Sequence, residues 1–379
     1  MTITDPTTAP IDWATTAGAL ADRFALTAAE NDRTGVLPKE NFDALREAGI
    51  TAALVPTEFG GGGASFAEMC GILRTLARGC PATAVTLSMH THLVAAAVWR
   101  QLHGVDASPL LRRVAGDRVI LVSTGASDWL ESNGAVERVD GGYRVSGRKT
   151  PASGCDVGDI AVTSLRWDDA PDGPQVIHCA IPFSAEGVSV DFTWDTLGLR
   201  ATGSHTIVFD NVFVPDAAVS LARPAGKWHP VFNTVVGVAI PLIMSAYVGI
   251  AERAVEIALE GARKRPAAPH LAPLVGEMLD SFQTGVDVVE AMIRDADDMQ
   301  FANSEDITIR DLSRKTVAVD ALIATVRQAI EVTGGMGYTR SSDIERLYRD
   351  VHGSIFHPLP RAKQVLLTGR MALGLEPAG

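Results

Sequence analysis

The sequence predicts an α+β chain in which a β domain is set between two helical domains, and three observations carry that reading. Apolar residues recur three to four apart over residues 14–116. Between 118 and 216 the chain breaks into short runs rich in Val, Ile and Thr, separated by turn clusters. After Pro215 the helical period returns and persists. The expected units are an N-terminal helical domain over 1–117, a middle β domain (barrel or sandwich) over 118–222, and a C-terminal helical bundle over 223–379.

In the first unit, "LPKENFDALREAGI" has an opening Pro, an apolar face and a closing Gly, and Phe66, Met69, Leu73 and Leu76 mark one face of a second helix. In the middle unit, "VERVDGGYRVSG" predicts a hairpin with Asp140, Gly141 and Gly142 at its turn. In the last unit, the apolar run over 235–251 is too short to span a bilayer, contains Pro241 and leads into Glu252 and Arg253, so it predicts a buried central helix. Leu274, Met278, Phe282, Val286, Val289 and Met292 mark one long amphipathic helix. Leu312, Val319, Leu322, Val326 and Ile330 mark another that ends at Gly334 and Gly335. Helices this apolar predict a bundle that also buries surface against other subunits.

Composition narrows the function. A chain of 379 residues that is 46% hydrophobic can bury a large core. Its net charge of -12, with no run of Lys or Arg, argues against nucleic acid and in favour of a small-molecule substrate. "MTITDPTTAP" lacks the basic and apolar regions of a signal peptide, which predicts a cytoplasmic chain with no membrane span. The cysteines at 70, 80, 155 and 179 form no CxxC pair and, with histidine, no zinc spacing; they are expected as reduced, buried thiols, with no metal site.

Four phrases carry a resemblance. They are "VPTEFGGGGASF" at 55–66, "WDTLGLRATGSHTIVFDNVFVP" at 194–215, "TGGMGYTRSSDIERLYRD" at 333–350, and the hairpin phrase ending "VSGRKT". Over nearly its whole length the chain resembles the acyl-CoA dehydrogenase superfamily. That resemblance implies an N-terminal helical domain, a middle β-barrel or sandwich domain, a C-terminal four-helix bundle, and a homotetramer or dimer. It also implies a flavin between the β domain and the bundle, FAD, or FMN in a two-component monooxygenase. Ser123 and Thr124 in "LVSTG" then fall against the flavin pyrimidine edge, and Ser153 in "KTPASG" falls beside its N5. Gly334, Gly335 and Gly337 match the loop that approaches the flavin diphosphate, and Arg263 falls near the arginine that meets it, although a segment with Pro266 replaces the family's following residues. Each has a plainer explanation: serines cap turns, GGxG caps a helix, and Arg263 answers the last carbonyls of its own helix.

The dehydrogenases of this superfamily need a carboxylate base. Here the position nine residues after Arg349 is Pro358, and the alternative position on the first long C-terminal helix falls at Ala239 or an apolar neighbour. His357 stands one residue before that proline. With His92 in "SMHTHLV" and Ser153, it makes a trio similar to that of the superfamily's flavin-dependent monooxygenases, such as dibenzothiophene monooxygenase. His and Ser can donate to activated oxygen and move its protons without a strong base. His90 and His92 cannot share one helix face, so one of them is a core residue, and His357 could simply adapt to the proline after it.

Three readings stand open. The first is a monooxygenase that takes reduced flavin from a partner reductase. The second is an acyl-CoA dehydrogenase with His357 or another group as base, acting on an acyl thioester where the first would take an apolar or aromatic compound. The third is a flavin or ligand-binding relative without turnover. Ser342 and Glu345 have capping-box spacing, and Arg346, Arg349 and Asp350 are expected to form ion pairs within the bundle.

Overall fold

The computed structural model describes residues 11–125 and 128–377. Five α-helices open the chain: α1 (Trp13–Thr34), α2 (Lys39–Glu47), α3 (Phe66–Gly79), α4 (Pro81–Leu102) and α5 (Ser108–Gly116). Local chemistry sets their ends. Asp12 accepts from the Thr15 amide at the start of α1, Ser65 and Glu68 form a reciprocal capping box on α3, and Pro81 opens α4 where a missing N–H costs nothing.

Eight strands follow: β1 (Leu121–Ser123), β2 (Ala135–Val139), β3 (Gly142–Ala152), β4 (Ile160–Trp167), β5 (Gln175–Pro182), β6 (Val188–Asp191), β7 (His205–Pro215) and β8 (Val219–Pro224). They form two four-stranded sheets, β1-β4-β5-β8 and β2-β3-β7-β6. Inward residues of both, including Leu165, Ile177, Val145, Ile207 and Phe209, share one buried core. The hairpin turn is tighter than expected: Val139 pairs with Gly142, so only Asp140 and Gly141 turn the chain. Gly142 already belongs to the ladder.

The C-terminal helices are α6 (Val231–Arg263), α7 (Leu271–Asp295), α8 (Glu305–Thr333), α9 (Asp343–Val351) and α10 (Arg361–Ala372). Helix α6 is long and apolar enough to cross a membrane, yet almost all of that stretch is buried inside the fold. It packs against α3, α4, α7 and α8, so the helical domains share one core and α6 is its axis.

One expectation for α9 is corrected: Ser342 makes no side-chain cap, and the Glu345 carboxylate is taken by Arg349. The ion pairs expected within the bundle are present, Arg346 with Asp343 at 3.0 Å and Arg349 with Glu345 at 2.8 Å, and Arg349 also reaches beyond it. It pairs with Asp32 on α1 at 2.6 Å and donates to the Leu197 carbonyl, while Asp350 accepts from the Leu199 amide at 2.6 Å. This partly buried clasp joins all three parts of the chain. A Cβ on Gly198 would lie 2.3 Å from the Arg349 carbonyl carbon, so only glycine lets the 195–200 loop reach α9.

Candidate functional site

The histidines of α4 divide as their spacing requires. His90 is committed on both ring nitrogens: Nε2 donates to the Thr51 carbonyl at 2.8 Å, and Nδ1 accepts from the Leu121 amide at 3.0 Å. It pins α4 to β1 and is structural. His92 donates from Nδ1 to the Ser88 carbonyl at 3.1 Å. A carbonyl can only accept, so the proton sits on Nδ1 and Nε2 keeps its lone pair. Burial pushes both imidazoles down to about 4, so both are neutral near pH 7.

His357 lies between a short 3-10 turn over His352–Ile355 and α10. Its Nδ1 is 2.6 Å from the Tyr247 hydroxyl on α6. Tyr247 is fully buried, burial holds its phenol well above the ordinary range, and among the described residues its proton has no other acceptor. Tyr247 therefore donates, Nδ1 accepts, and the His357 proton sits on Nε2. Burial lowers His357 to about 4, helped by the nearby Lys315 ammonium and by His92 and opposed by a hydrogen bond to the Gly353 carbonyl. The structure thus brings His92 and His357 into electrostatic reach of one another. Among the described residues neither Nε2 has a hydrogen-bond partner. One offers a lone pair and the other offers a proton.

Lys315, on α8, is buried without a carboxylate partner among the described residues. Its Nζ donates to the Leu359 carbonyl at 3.1 Å and faces the Ile355 carbonyl at 3.5 Å, two residues to either side of His357. Desolvation lowers it to about 8, so it stays charged at neutral pH. The ammonium ties down the loop and disfavours a second positive charge on His357.

Ser153 follows β3 and is 2.7 Å from Ser204 Oγ. Ser204 is 2.7 Å from Thr202 Oγ1, which donates to the Leu199 carbonyl at 2.9 Å. The other expected positions are spread differently. Thr124 is already committed, its hydroxyl to Thr163 and its amide to the Val162 carbonyl, whereas the Ser123 hydroxyl has no partner among the described residues. Gly334 caps α8 at φ 77°, a left-handed backbone that favours glycine. Gly335 faces open space and Gly337 packs against Ile344 and Thr333. Arg263 is exposed at the end of α6. It is Arg265, two residues on, that reaches the glycine loop: it donates to the Val332 carbonyl at 2.6 Å, and its guanidinium lies 3.7 Å from where a Cβ on Gly334 would stand.

Sequence reasoning missed Tyr247, Lys315 and Arg265, and two of them left a signal. A tyrosine inside an apolar run must find a hydrogen-bond partner. Lys315 falls on the inward stripe of Leu312, Val319 and Leu322, where a lysine needs an internal acceptor.

Comparison with known proteins agrees with this architecture. The acyl-CoA dehydrogenase N-terminal domain matches residues 13–103, and the C-terminal domain matches residues 231–355. Amino sugar nitrososynthase DnmZ of Streptomyces peucetius is 31% identical, over 91% of this chain and 89% of its own. The oxygenase component of a FADH(2)-dependent resorcinol hydroxylase from a Rhizobium species is 27% identical, over 95% and 93%. The X-ray structure of KijD3 in complex with FMN and a dTDP-linked amino sugar superposes with a TM-score of 0.87 at 25% identity, covering 98% of this chain and 97% of that one. The chain belongs to the acyl-CoA dehydrogenase family.

Proposed function

We propose that this protein is the oxygenase component of a flavin-dependent monooxygenase, supplied with reduced flavin by a separate reductase and acting on a small molecule. The observation that carries the reading is the pair of neutral imidazoles, His92 with a free lone pair and His357 with a free N–H, beside a chain that has Pro358 in place of a carboxylate base. The resorcinol hydroxylase relative, named as an oxygenase component, supports it.

The residues present fit a flavin, FAD or FMN. Ser153 and Ser123 offer hydroxyls to a ring edge, while Gly335 and the adjacent Arg265 offer open backbone and positive charge to a phosphate. Reduced flavin would supply the electrons that activate oxygen. Around it, His357 holds its Nε2 proton ready for a developing oxyanion, because Tyr247 fills Nδ1 and Lys315 resists further protonation. His92 Nε2 takes a proton from the substrate heteroatom as it is oxidised. Both imidazoles keep these forms near pH 7, so neither needs to change state before turnover.

Dehydrogenation with His357 as base fits less well, since its Nε2 carries a proton and has no lone pair to take another. A homotetramer or dimer, as elsewhere in the superfamily, would complete the glycine-loop end of the site. The test is incubation with a flavin reductase, NADH and isotope-labelled oxygen against amines, thioethers and phenols. Label in a product supports the proposal. Anaerobic bleaching of bound oxidised flavin by acyl-CoA thioesters overturns it.

A further inference from the structure

The hydroxyls behind Ser153 form a chain with one consistent direction. The Leu199 carbonyl can only accept, so Thr202 Oγ1 spends its single proton there, at 2.9 Å. Thr202 must then accept from Ser204 at 2.7 Å, and Ser204 in turn must accept from Ser153 at 2.7 Å. Any other assignment sets two lone pairs against each other at hydrogen-bond distance in a buried place, since Thr202 and Ser204 are 1% and 2% exposed. The end of the chain is firmly held. Trp194 Nε1 also donates to the Leu199 carbonyl at 3.0 Å, and the Leu199 amide donates to Asp350. Ser153 therefore turns its proton inward and leaves only lone pairs for whatever lies in front of it.

We infer that Thr202 and Ser204 fix Ser153 as a hydrogen-bond acceptor, so that the pocket favours reduced flavin, whose N5 carries a proton, over oxidised flavin, whose N5 presents a lone pair. The inference rests on the proposed function, which sets the flavin N5 beside Ser153. It gives Thr202 and Ser204, neither of which touches the cofactor, the role of positioning residues. Its consequence suits a protein that must take reduced flavin from a partner and release it once oxidised: lone pair meets proton on arrival, and lone pair meets lone pair after oxidation.

The test compares dissociation constants of reduced flavin, measured anaerobically, and of oxidised flavin for the intact chain and its variants. Thr202→Val keeps the volume but removes the acceptor for Ser204, which can then donate to Ser153 and turn its proton outward. Ser204→Ala frees the same proton by another route and covers a failure of the first variant to fold. Thr202→Ser keeps the chain of hydroxyls and should restore the original behaviour. The wild-type protein should bind reduced flavin about tenfold more tightly than oxidised flavin, as expected for one hydrogen bond made against one refused. Thr202→Val and Ser204→Ala should erase most of that ratio, and Thr202→Ser should not. A ratio unchanged across all three variants, with tight flavin binding throughout, overturns the relay alone. Failure of the wild-type protein to bind either flavin overturns the relay together with the proposed function.

Discussion

Replacing Tyr247 by Phe removes one oxygen atom from a fully buried ring and leaves its packing in place. The hydroxyl is 2.6 Å from His357 Nδ1, and the Gly353 carbonyl also acts on the ring. The net value of such a bond is about 1 kcal/mol, but stranding a buried acceptor costs roughly 1–3 kcal/mol. His357 can recover part of this loss by moving its proton to Nδ1, which takes the proton away from Nε2. About 1.4 kcal/mol is a factor of ten, so the population with Nε2–H should fall about tenfold, and product formed per reduced flavin should fall with it. Nitrogen-15 spectra of the histidine rings read the tautomer directly, and denaturant titration reads a stability loss of about 1–3 kcal/mol. If Tyr247→Phe leaves the His357 ring spectrum and the product yield at wild-type values, the tautomer argument is wrong.

Three further outcomes follow from the same geometry. His92→Ala should lower product formation by about 10²-fold or more while the fold survives, whereas His90→Ala should destabilise the fold by removing two buried hydrogen bonds; circular dichroism melts and turnover separate the two, and equal behaviour would contradict the division of roles. Lys315→Met should raise the pKa of His357, seen in an NMR titration, because the positive charge that opposes its protonation is gone, and Lys315→Arg should restore it; an unshifted titration would remove Lys315 from the site. Acid should weaken the fold. Unfolded histidines bind a proton near pH 6.5, whereas His90, His92, His178 and His357 resist it until about 4, so stability is present above about 6.5 and is lost as pH falls toward 4. The buried His90 and His92 each contribute about 3 kcal/mol to that loss. Asp311 and Asp350, raised by burial to about 7 and about 6, act in the opposite sense but are fewer. Denaturation midpoints that hold steady or rise on acidification would contradict the account.

What could be read from sequence followed the range of the interactions. The long helices α7 and α8 and the buried axis α6 were visible because periodicity is a local signal that burial enforces at every turn. The trio His92, Ser153 and His357 came from the resemblance to the superfamily's monooxygenases. Hydrogen bonding across the chain supplied what spacing could not: Tyr247 meets His357 over 110 positions, and Arg349 meets Asp32 over 317. No window of sequence contains either pair. At Ser342 the expected capping box is absent, and Glu345 pairs instead with Arg349, which Asp32 on α1 also holds. The direction of the Ser153 hydroxyl chain depends on the Leu199 carbonyl, 46 residues away in sequence.

The central claim is that the neutral His92 and His357 pair handles activated oxygen at a bound flavin. The most direct measurement loads the protein with reduced flavin under anaerobic conditions, mixes it rapidly with oxygenated buffer and follows the absorbance. The account predicts that oxidation passes through a spectrally distinct species, long-lived compared with free flavin and shortened in His357→Ala. Direct conversion to oxidised flavin at the rate of the free cofactor, in wild type and variant alike, would contradict it.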